Sequence, residues 1–530
     1  KAVIETKTFS FPKLLPQFIE DIYYFNFKNK INLLKFKKNI KNFLKFIYYK
    51  FLNLKKKNSK TFDIKNNNIA VCYGDGITEG KVSDLYWIYN SDINTSNIVL
   101  YIDYPSFLGR YEELNQKEEE EKIEKLEKQK GIKCIKIWEL KKFEKKELYK
   151  NLKKKIKQIS DKSYLDKILL SKSIELLDKI EFWHSFFEKY NIKIHMDPHD
   201  ESIDNVVKQI GMYLVGGCSV GKYKSCLNKS DAINYGYYPN DVFCCWGKAS
   251  IDHIKTKVKK KTLSNINNIL ITGYPYGYIN KKEKLKIESI KNDLHKNGAR
   301  FILLLLDTSS AYNNKNYDQV FPNDLLNKFY NFFLNWVIKD KEIGLIIKPK
   351  KLKILRSLNN SKNLIKDSTD TGRCYIHEKP FQSIPWHYSE ISNMVVALTV
   401  DALPTALMEC IINNKKIRGV FFDYPNLRKI ESDLYLWGEN KVVFDNMDKM
   451  MESIKKFKSN TNEDLGCWKE EFVNNLNTFK DNKGNIRVGN YVNDLIANFN
   501  ANLNRNDAIK LANKKFSEKW GEKNTLIFKD

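Results

Sequence analysis

VVALTVDALPTALMECIINNKKIRGVFFD, residues 395–423, reads as strand, tight turn, helix and strand. Residues 395–398 form a short buried-strand run. Residues 401–404 form a turn in which Pro404 presets its own φ, and Thr405 is placed to cap the helix that begins there. That helix carries Glu409, and Lys415 and Lys416 stand at its basic end, where the helix dipole favours cations. Residues 417–422 are apolar apart from Arg418 and read as the next strand. The unit is βαβ, and the free N–H groups at its helix N-terminus are where a phosphate would sit.

Working outward, the same alternation recurs on both sides. Toward the C-terminal half, strands are expected at 269–272, 300–306, 343–347 and 373–376, with helices at 285–296 and 325–338 between them. Toward the N-terminus, strands are expected at 69–72, 97–103, 133–137, 191–194 and 242–245. Helices are expected at 141–190 and from about Asp200 to Met212. Alternating strands and helices are the signature of doubly wound parallel sheets. The basic, polar stretch 255–268 reads as a linker. The expected organisation is a basic amphipathic segment over 1–60, a first Rossmann-like domain over 61–262, a second over 263–446 and a helical segment over 447–530. That last segment is expected to pack back across both domains.

At 530 residues the chain is too long for a single core. Lys and Arg number 91 against 64 Asp and Glu, a net charge of +27. The excess is mostly lysine beside abundant Ile, Asn, Tyr and Phe, a bias that A/T-rich coding also produces. The charge still predicts an anionic partner: a nucleotide, an anionic lipid surface or nucleic acid. Spread-out basic residues with no zinc-finger or helix–turn–helix signature speak against a specific nucleic-acid reader. Nine cysteines without a CxxC pair suit a reducing compartment and argue against a structural zinc site. No apolar run approaches ~20 residues, and the first residues do not read as a signal peptide. The expected location is cytoplasmic, peripheral on the inner face of the cell membrane. The 1–60 segment admits two readings, a basic helix on an anionic membrane and an ordinary helical layer.

Polar residues gather after strands, where open α/β sheets bind ligands. The loop Tyr73–Gly80 is glycine-rich, yet its spacing matches neither the dinucleotide fingerprint nor a Walker loop. His195, Asp197, His199, Asp200 and Glu201 follow one strand and supply candidate bases, histidine because its pKa lies near neutrality. Gly216, Gly217 and Lys222 follow another. In the second half stand Gly273, Thr308, Ser309, Lys348, Arg373, Asp401, Thr405, Ala406 and Glu409. Lys348 and Arg373 can meet a phosphate, the amides of Thr405 and Ala406 can cradle one, and Glu409 can accept from a sugar hydroxyl. Each also has a plain structural reading as a cap, a salt bridge or a solvated side chain.

The series ILITGYPYGY, FILLLLDTSS, GLIIKPK, GRCYIHE and SNMVVALTVDALPTALMECIINNKKIRGVFFD resembles the C-terminal half of GT-B glycosyltransferases. It looks most like bacterial surface-polysaccharide transferases of the Kdo, sialic acid and polyol-phosphate group. The upstream HMDPHDE, VGGCSVGKYKSC and NYGYYPNDVFCCWG segments resemble the acceptor-side domain of the same group. The resemblance covers roughly residues 65–445. It implies transfer from a nucleotide-sugar donor, CMP-linked, to a surface glycan or glycolipid. The donor would lie on the second domain and the acceptor on the first, with neither metal nor further cofactor. The chain departs from the pattern in two places. The expected Lys-Pro-His is Lys348-Pro349-Lys350, leaving His377 or His387 to substitute in space, and Glu409 has no glutamate eight residues before it because position 401 is Asp. A CDP-polyol phosphotransferase, a non-hydrolysing sugar-nucleotide epimerase, and a non-catalytic scaffold or nucleic-acid-binding protein remain as alternatives.

Overall fold

The structure is a computed structural model. It describes residues 66–103, 116–140, 143–144, 146–158, 164–197, 203–223, 240–251, 268–308, 321–352, 355, 362–378, 383–400, 403–424, 433–460 and 464–527. The amphipathic segment expected over 1–60 and most of the expected linker lie outside these residues.

Two sheets organise the chain. The first contains β1 (Asn68–Cys72), β2 (Ile98–Ile102), β3 (Lys133–Lys136), β4 (Ile192–Asp197), β5 (Cys218–Lys222), β6 (Val242–Cys245) and β7 (Asn268–Ile271). The second contains β8 (Phe301–Leu306), β9 (Ile343–Lys348), β10 (Cys374–Ile376), β11 (Met394–Val400), β12 (Arg418–Tyr424) and β13 (Val443–Phe444). A last short strand, β14 (Thr525–Ile527), returns to the first sheet. The orders are β14-β7-β6-β5-β4-β1-β2-β3 and β10-β9-β8-β11-β12-β13. All pairings are parallel except β14 on β7. This is the two-Rossmann-domain α/β architecture expected of the sequence. The strands NIAVC, IVLYI and FILLLL are buried at every position, which parallel strands covered by helices on both faces require.

One face of the first sheet packs Ala70, Val99 and Tyr101 against Phe186 and Phe187 of helix Tyr164–Lys189 and Val207 of helix Ile203–Leu214. Its other face packs Val71, Leu100, Ile194 and Val220 against Val488, Tyr491 and Leu495 of helix Gly484–Asn500. In the second sheet, Leu303, Leu305 and Leu345 meet Phe329 and Phe333 of helix Asn323–Lys339 and Met450 and Ile454 of helix Met447–Ser459. On the opposite face Leu304, Val395 and Phe421 share one apolar cluster with the first sheet's inner layer.

Several boundaries move from their sequence-based positions. The strand at 268–271 was expected to open the second domain, but it pairs with β6, so the first sheet extends past the boundary placed at 262. Its apolar run carries no mark of which sheet it joins; the hydrogen-bonding partner decides. β4 runs on through Asp197, so His195 lies inside a strand rather than in a loop. Gly216 and Gly217 end the helix Ile203–Leu214, with Gly217 N–H donating to Met212 O at 2.9 Å, instead of following a strand. Among the described residues no helix is long and apolar enough to cross a membrane.

The C-terminal segment crosses both domains. Trp468 donates to Gly419 O of β12 at 2.9 Å, Thr478 N–H to Trp246 O at 3.3 Å, and Asn485 to Tyr89 O at 2.7 Å. Arg487, 1% exposed, donates to Thr272 O and to the Asp481 carboxylate and stacks on Phe479 and Trp520. Gly489 lets this helix lie directly on the first domain: a Cβ there would stand 2.3 Å from Trp87 O. In an ordinary helix Gly→Ala gains about 1 kcal/mol. Here Gly489→Ala is expected to reverse the sign and destabilise by about 1–3 kcal/mol, read from urea unfolding midpoints at constant m.

Candidate active site

In each sheet the direction of winding reverses at one point: between β1 and β4 in the first, and between β8 and β11 in the second. The carboxyl ends of strands at such a switch point leave a crevice that neither crossover fills. Some of the polar residues singled out in the sequence lie at these two crevices, and others do not.

At the second crevice β8 ends in Asp307 and Thr308. Tyr330 donates to the Asp307 carboxylate at 2.9 Å, and so does the Lys350 N–H. Burial pushes Asp307 up to about 6. The carboxylate is thus committed to holding the exit of β9, where Lys348 is the last strand residue. Helix Thr405–Asn413 starts beside it. Pro404 occupies the cap position and supplies no side-chain bond, so Thr405 is the first helical residue and not the cap expected of it. The first amides of any helix have no acceptor within it, and such an amino end, at the positive end of the helix dipole, suits an anion. Glu409 lies one turn further, on the same side as Thr405. Its Oε2 is sealed from solvent. Burial pushes its carboxyl up to about 7, against the opposing pull of the Tyr274 hydroxyl and the Lys348 ammonium.

His377 follows β10, whose Ile376 pairs with Ile347, and its N–H donates to Ile347 O at 2.9 Å. It therefore stands beside Lys348. Burial holds its ring down to about 3, reinforced by the charges of Lys286, Lys348 and Lys81. His387, the other histidine weighed as a substitute, is buried with Nε2 against Tyr278 O at 3.2 Å and belongs to the packing between the domains.

Two residues expected here are elsewhere. Arg373 precedes β10 and is therefore at the amino end of the sheet, where it donates to Val337 O at the end of helix Asn323–Lys339 at 2.7 Å. It caps that helix. Gly273 adopts φ +83° at the exit of β7, enclosed by Asn477, Phe479 and Arg487 of the returning tail. Ser309 and Asp401 lie outside the described residues.

At the first crevice the glycine-rich loop wraps an internal carboxylate. The N–H groups of Gly74, Asp75 and Gly76 donate to Asp84 Oδ2 at 2.7, 2.8 and 3.1 Å. Asp84 Oδ1 is sealed and meets no donor. Burial, then the Asp75 charge, push this carboxyl up to about 6. The Lys222 ammonium lies 4.6 Å from the Tyr86 ring and 4.8 Å from the Tyr276 ring and donates to the Tyr276 hydroxyl. Asp84, Asp197 and Lys222 line a cavity of about 10 Å³ with Tyr86, Trp87 and Met196.

Of the histidine-rich loop, Asp197 reaches this cavity. His195 does not. Its ring is 1% exposed on the face covered by helix Tyr164–Lys189, with Nε2 2.7 Å from the Tyr101 hydroxyl and the Phe187 ring 5.5 Å away. Burial and the Lys208 charge hold it well below the usual histidine range, so it is a neutral core residue. His199, Asp200 and Glu201 lie outside the described residues. Among the described residues no group of three or more His, Cys, Asp or Glu is placed to hold a metal ion.

Asp84, Lys81, Lys286, Tyr274 and Tyr276 were not singled out as site residues in the sequence. Asp84 and Lys286 carry no local mark, since each is brought in by packing. The run Tyr274-Pro-Tyr-Gly-Tyr278 between the two sheets was the one available signal.

No family model matches the chain, and no curated protein does. Among solved structures it is similar to a variant of the wall teichoic acid polymerase TagF, at TM-score 0.42 and 8% identity over 89% of this chain and 100% of that one. It is similar to HepE from Anabaena in complex with UDP and glucose, at TM-score 0.37 and 11% identity over 83% and 100%. A glycosyltransferase from Rickettsia africae gives TM-score 0.40 and 10% identity over 86% and 98%.

The Glu409 environment makes stability depend on pH. Its folded-state pKa, about 7, lies above its ordinary value of 4.5. Its contribution is therefore complete below about pH 4.5 and is lost as pH rises through 7. Glu409→Gln is expected to unfold like the parent at pH 4.5 and to be more stable at pH 8 by on the order of a few kcal/mol. Urea unfolding of both proteins at the two pH values measures this.

Proposed function

We propose that this chain is a GT-B glycosyltransferase that moves a sugar from a nucleotide-activated donor, CMP-linked, to a surface glycan or glycolipid acceptor without a divalent metal. One observation carries the reading. The N-terminus of helix Thr405–Asn413, Lys348 and the sealed carboxyl of Glu409 converge at the switch point of the second sheet. As the bond from sugar to phosphate breaks, negative charge grows on the leaving phosphate. Preorganised amides and a lysine stabilise that charge without reorganising. Glu409, kept near neutrality by burial, accepts or donates a hydrogen bond to a donor hydroxyl according to its protonation state.

The acceptor side is the first crevice. His195 is closed off, so removal of the acceptor proton falls to a carboxylate, and Asp197 at the cavity wall keeps the role the sequence assigned to its loop. The proton passes to the carboxylate, the acceptor oxygen bonds to the anomeric carbon, and the bonding pair leaves on the phosphate. The placement on the inner face of the membrane is part of the same proposal and rests on the lysine excess.

Thermal unfolding with CMP, CDP, UDP and GDP in turn tests the donor site, since a ligand that binds only the folded form raises apparent stability. CMP protection alone fits the proposed donor. CDP protection with CMP inert replaces it with a polyol-phosphate donor, and UDP or GDP with a hexose donor. Lys348→Met is expected to weaken the protecting nucleotide about 10-fold, roughly the value of one charge-assisted contact. Absence of protection by all four at millimolar concentration would sink the reading.

A further inference from the structure

At the carboxyl end of β1 the chain turns through Gly74, Asp75 and Gly76, and their three successive N–H groups point to one spot. Asp84 Oδ2 fills it, at 2.7, 2.8 and 3.1 Å. Gly76 adopts φ +139°, open to glycine, as the amides converge. Asp84 is fixed there from its own backbone as well. Its N–H donates to Gly76 O at 2.7 Å, and its carbonyl accepts from the Trp87 indole at 3.1 Å. The side chain is 3% exposed. Its second oxygen, Oδ1, meets no donor among the described residues and belongs to the wall of the small cavity.

A concave run of backbone amides after a strand is a nest for an oxyanion, and phosphates occupy such nests. Here the occupant is part of the chain. Its neighbours carry the same sign: Asp75 lies in the loop after β1, Asp103 follows β2, and Asp197 ends β4. The two buried lysines of this end are engaged. Lys208 donates to Asp103 Oδ2 at 2.7 Å, and Lys222 donates to the Tyr276 hydroxyl beside the Tyr86 and Tyr276 rings. A phosphate arriving at this crevice would meet carboxylates where the loop's amides would otherwise face it, and it would shed water without replacement. A neutral hydroxyl pays far less desolvation and finds carboxylate oxygens to donate to.

We infer that the glycine-rich loop is an oxyanion nest occupied by the chain's own Asp84, and that the first crevice therefore takes a hydroxyl-bearing substrate group that carries no phosphate. The nest stands on its geometry alone. Naming that group as the acceptor rests on the transferase reading.

Asp84→Gly empties the nest, whereas Asp84→Asn keeps it filled with a neutral amide oxygen. Thermal unfolding of the full chain and both variants is followed at pH 8 in chloride, formate and phosphate of equal ionic strength. Burial raises the Asp84 carboxyl to about 6, so it is ionised at this pH. Formate has the size of the deleted carboxylate. It is expected to protect Asp84→Gly at about 10-fold lower concentration than it protects the wild type or Asp84→Asn, roughly the value of one charge-assisted contact. Phosphate is expected to gain in the same variant and in it alone. Anion binding at the second sheet is common to all three proteins and cancels in the comparison. If Asp84→Gly is unfolded in chloride, formate is expected to restore its folded signal. Equal responses of Asp84→Gly and the wild type, an equal gain in Asp84→Asn, or an unfolded Asp84→Gly that formate fails to restore overturns the inference. A gain confined to formate shows a nest too small for phosphate and overturns it too. Each of these results leaves the transferase reading in place, and that reading stands or falls separately on nucleotide protection.

Discussion

Lys222 brings its amine into a site where it is 6% exposed. Desolvating an ammonium costs several kcal/mol unless the surroundings replace water. Here the faces of Tyr86 and Tyr276, the Tyr276 hydroxyl and the charge of Asp84 do so. Tyr276 belongs to the strap joining the two sheets, and Trp386 of the second domain donates to its carbonyl at 2.9 Å. On either side, Tyr274 faces Glu409 and Tyr278 packs 5.9 Å from Tyr89 while His387 meets its carbonyl. Tyr276 is thereby held by polar groups of both domains.

The two crevices differ in their electrostatic logic. The first is self-neutralised: its glycine-rich loop spends its amides on Asp84, and its lysine is clasped by tyrosines. The second presents a helix N-terminus and gathers cations whose nearest histidine stays neutral. Carboxyl groups in both are lifted toward neutrality by burial, to about 6 at Asp84 and Asp307 and about 7 at Glu409. Groups with such values exchange protons near physiological pH, the range in which acid–base chemistry is efficient.

The returning tail makes the two-domain plan a closed arrangement. Trp468 is anchored on β12, helix Gly484–Asn500 lies on the first sheet, and β14 adds itself antiparallel to β7. Arg487 is central to this return, because its buried guanidinium joins the carbonyl of Thr272 to Asp481, Phe479 and Trp520. The first and last of the described strands, β1 and β14, lie in the same sheet, and this constrains how far the two domains can part.

Much of the architecture was legible in the residues alone. Continuous apolar runs such as FILLLL, the βαβ unit at 395–423 and the polar residues after strands identify two doubly wound sheets, because burial on both faces and helical periodicity are local properties of the chain. Lys348, Thr405 and Glu409 were legible for the same reason, as residues at strand exits and in a helix's first turns. Which sheet β7 joins, on which side of β4 His195 points, that Arg373 serves a helix end, and that Asp84 fills the glycine-rich loop were decided only by tertiary structure. Each depends on a partner far away in sequence: β6, helix Tyr164–Lys189, Val337, the Gly74–Gly76 amides. The protonation states of His377 and Glu409 belong to this second group as well, since desolvation and neighbouring charge exist only once the chain has folded.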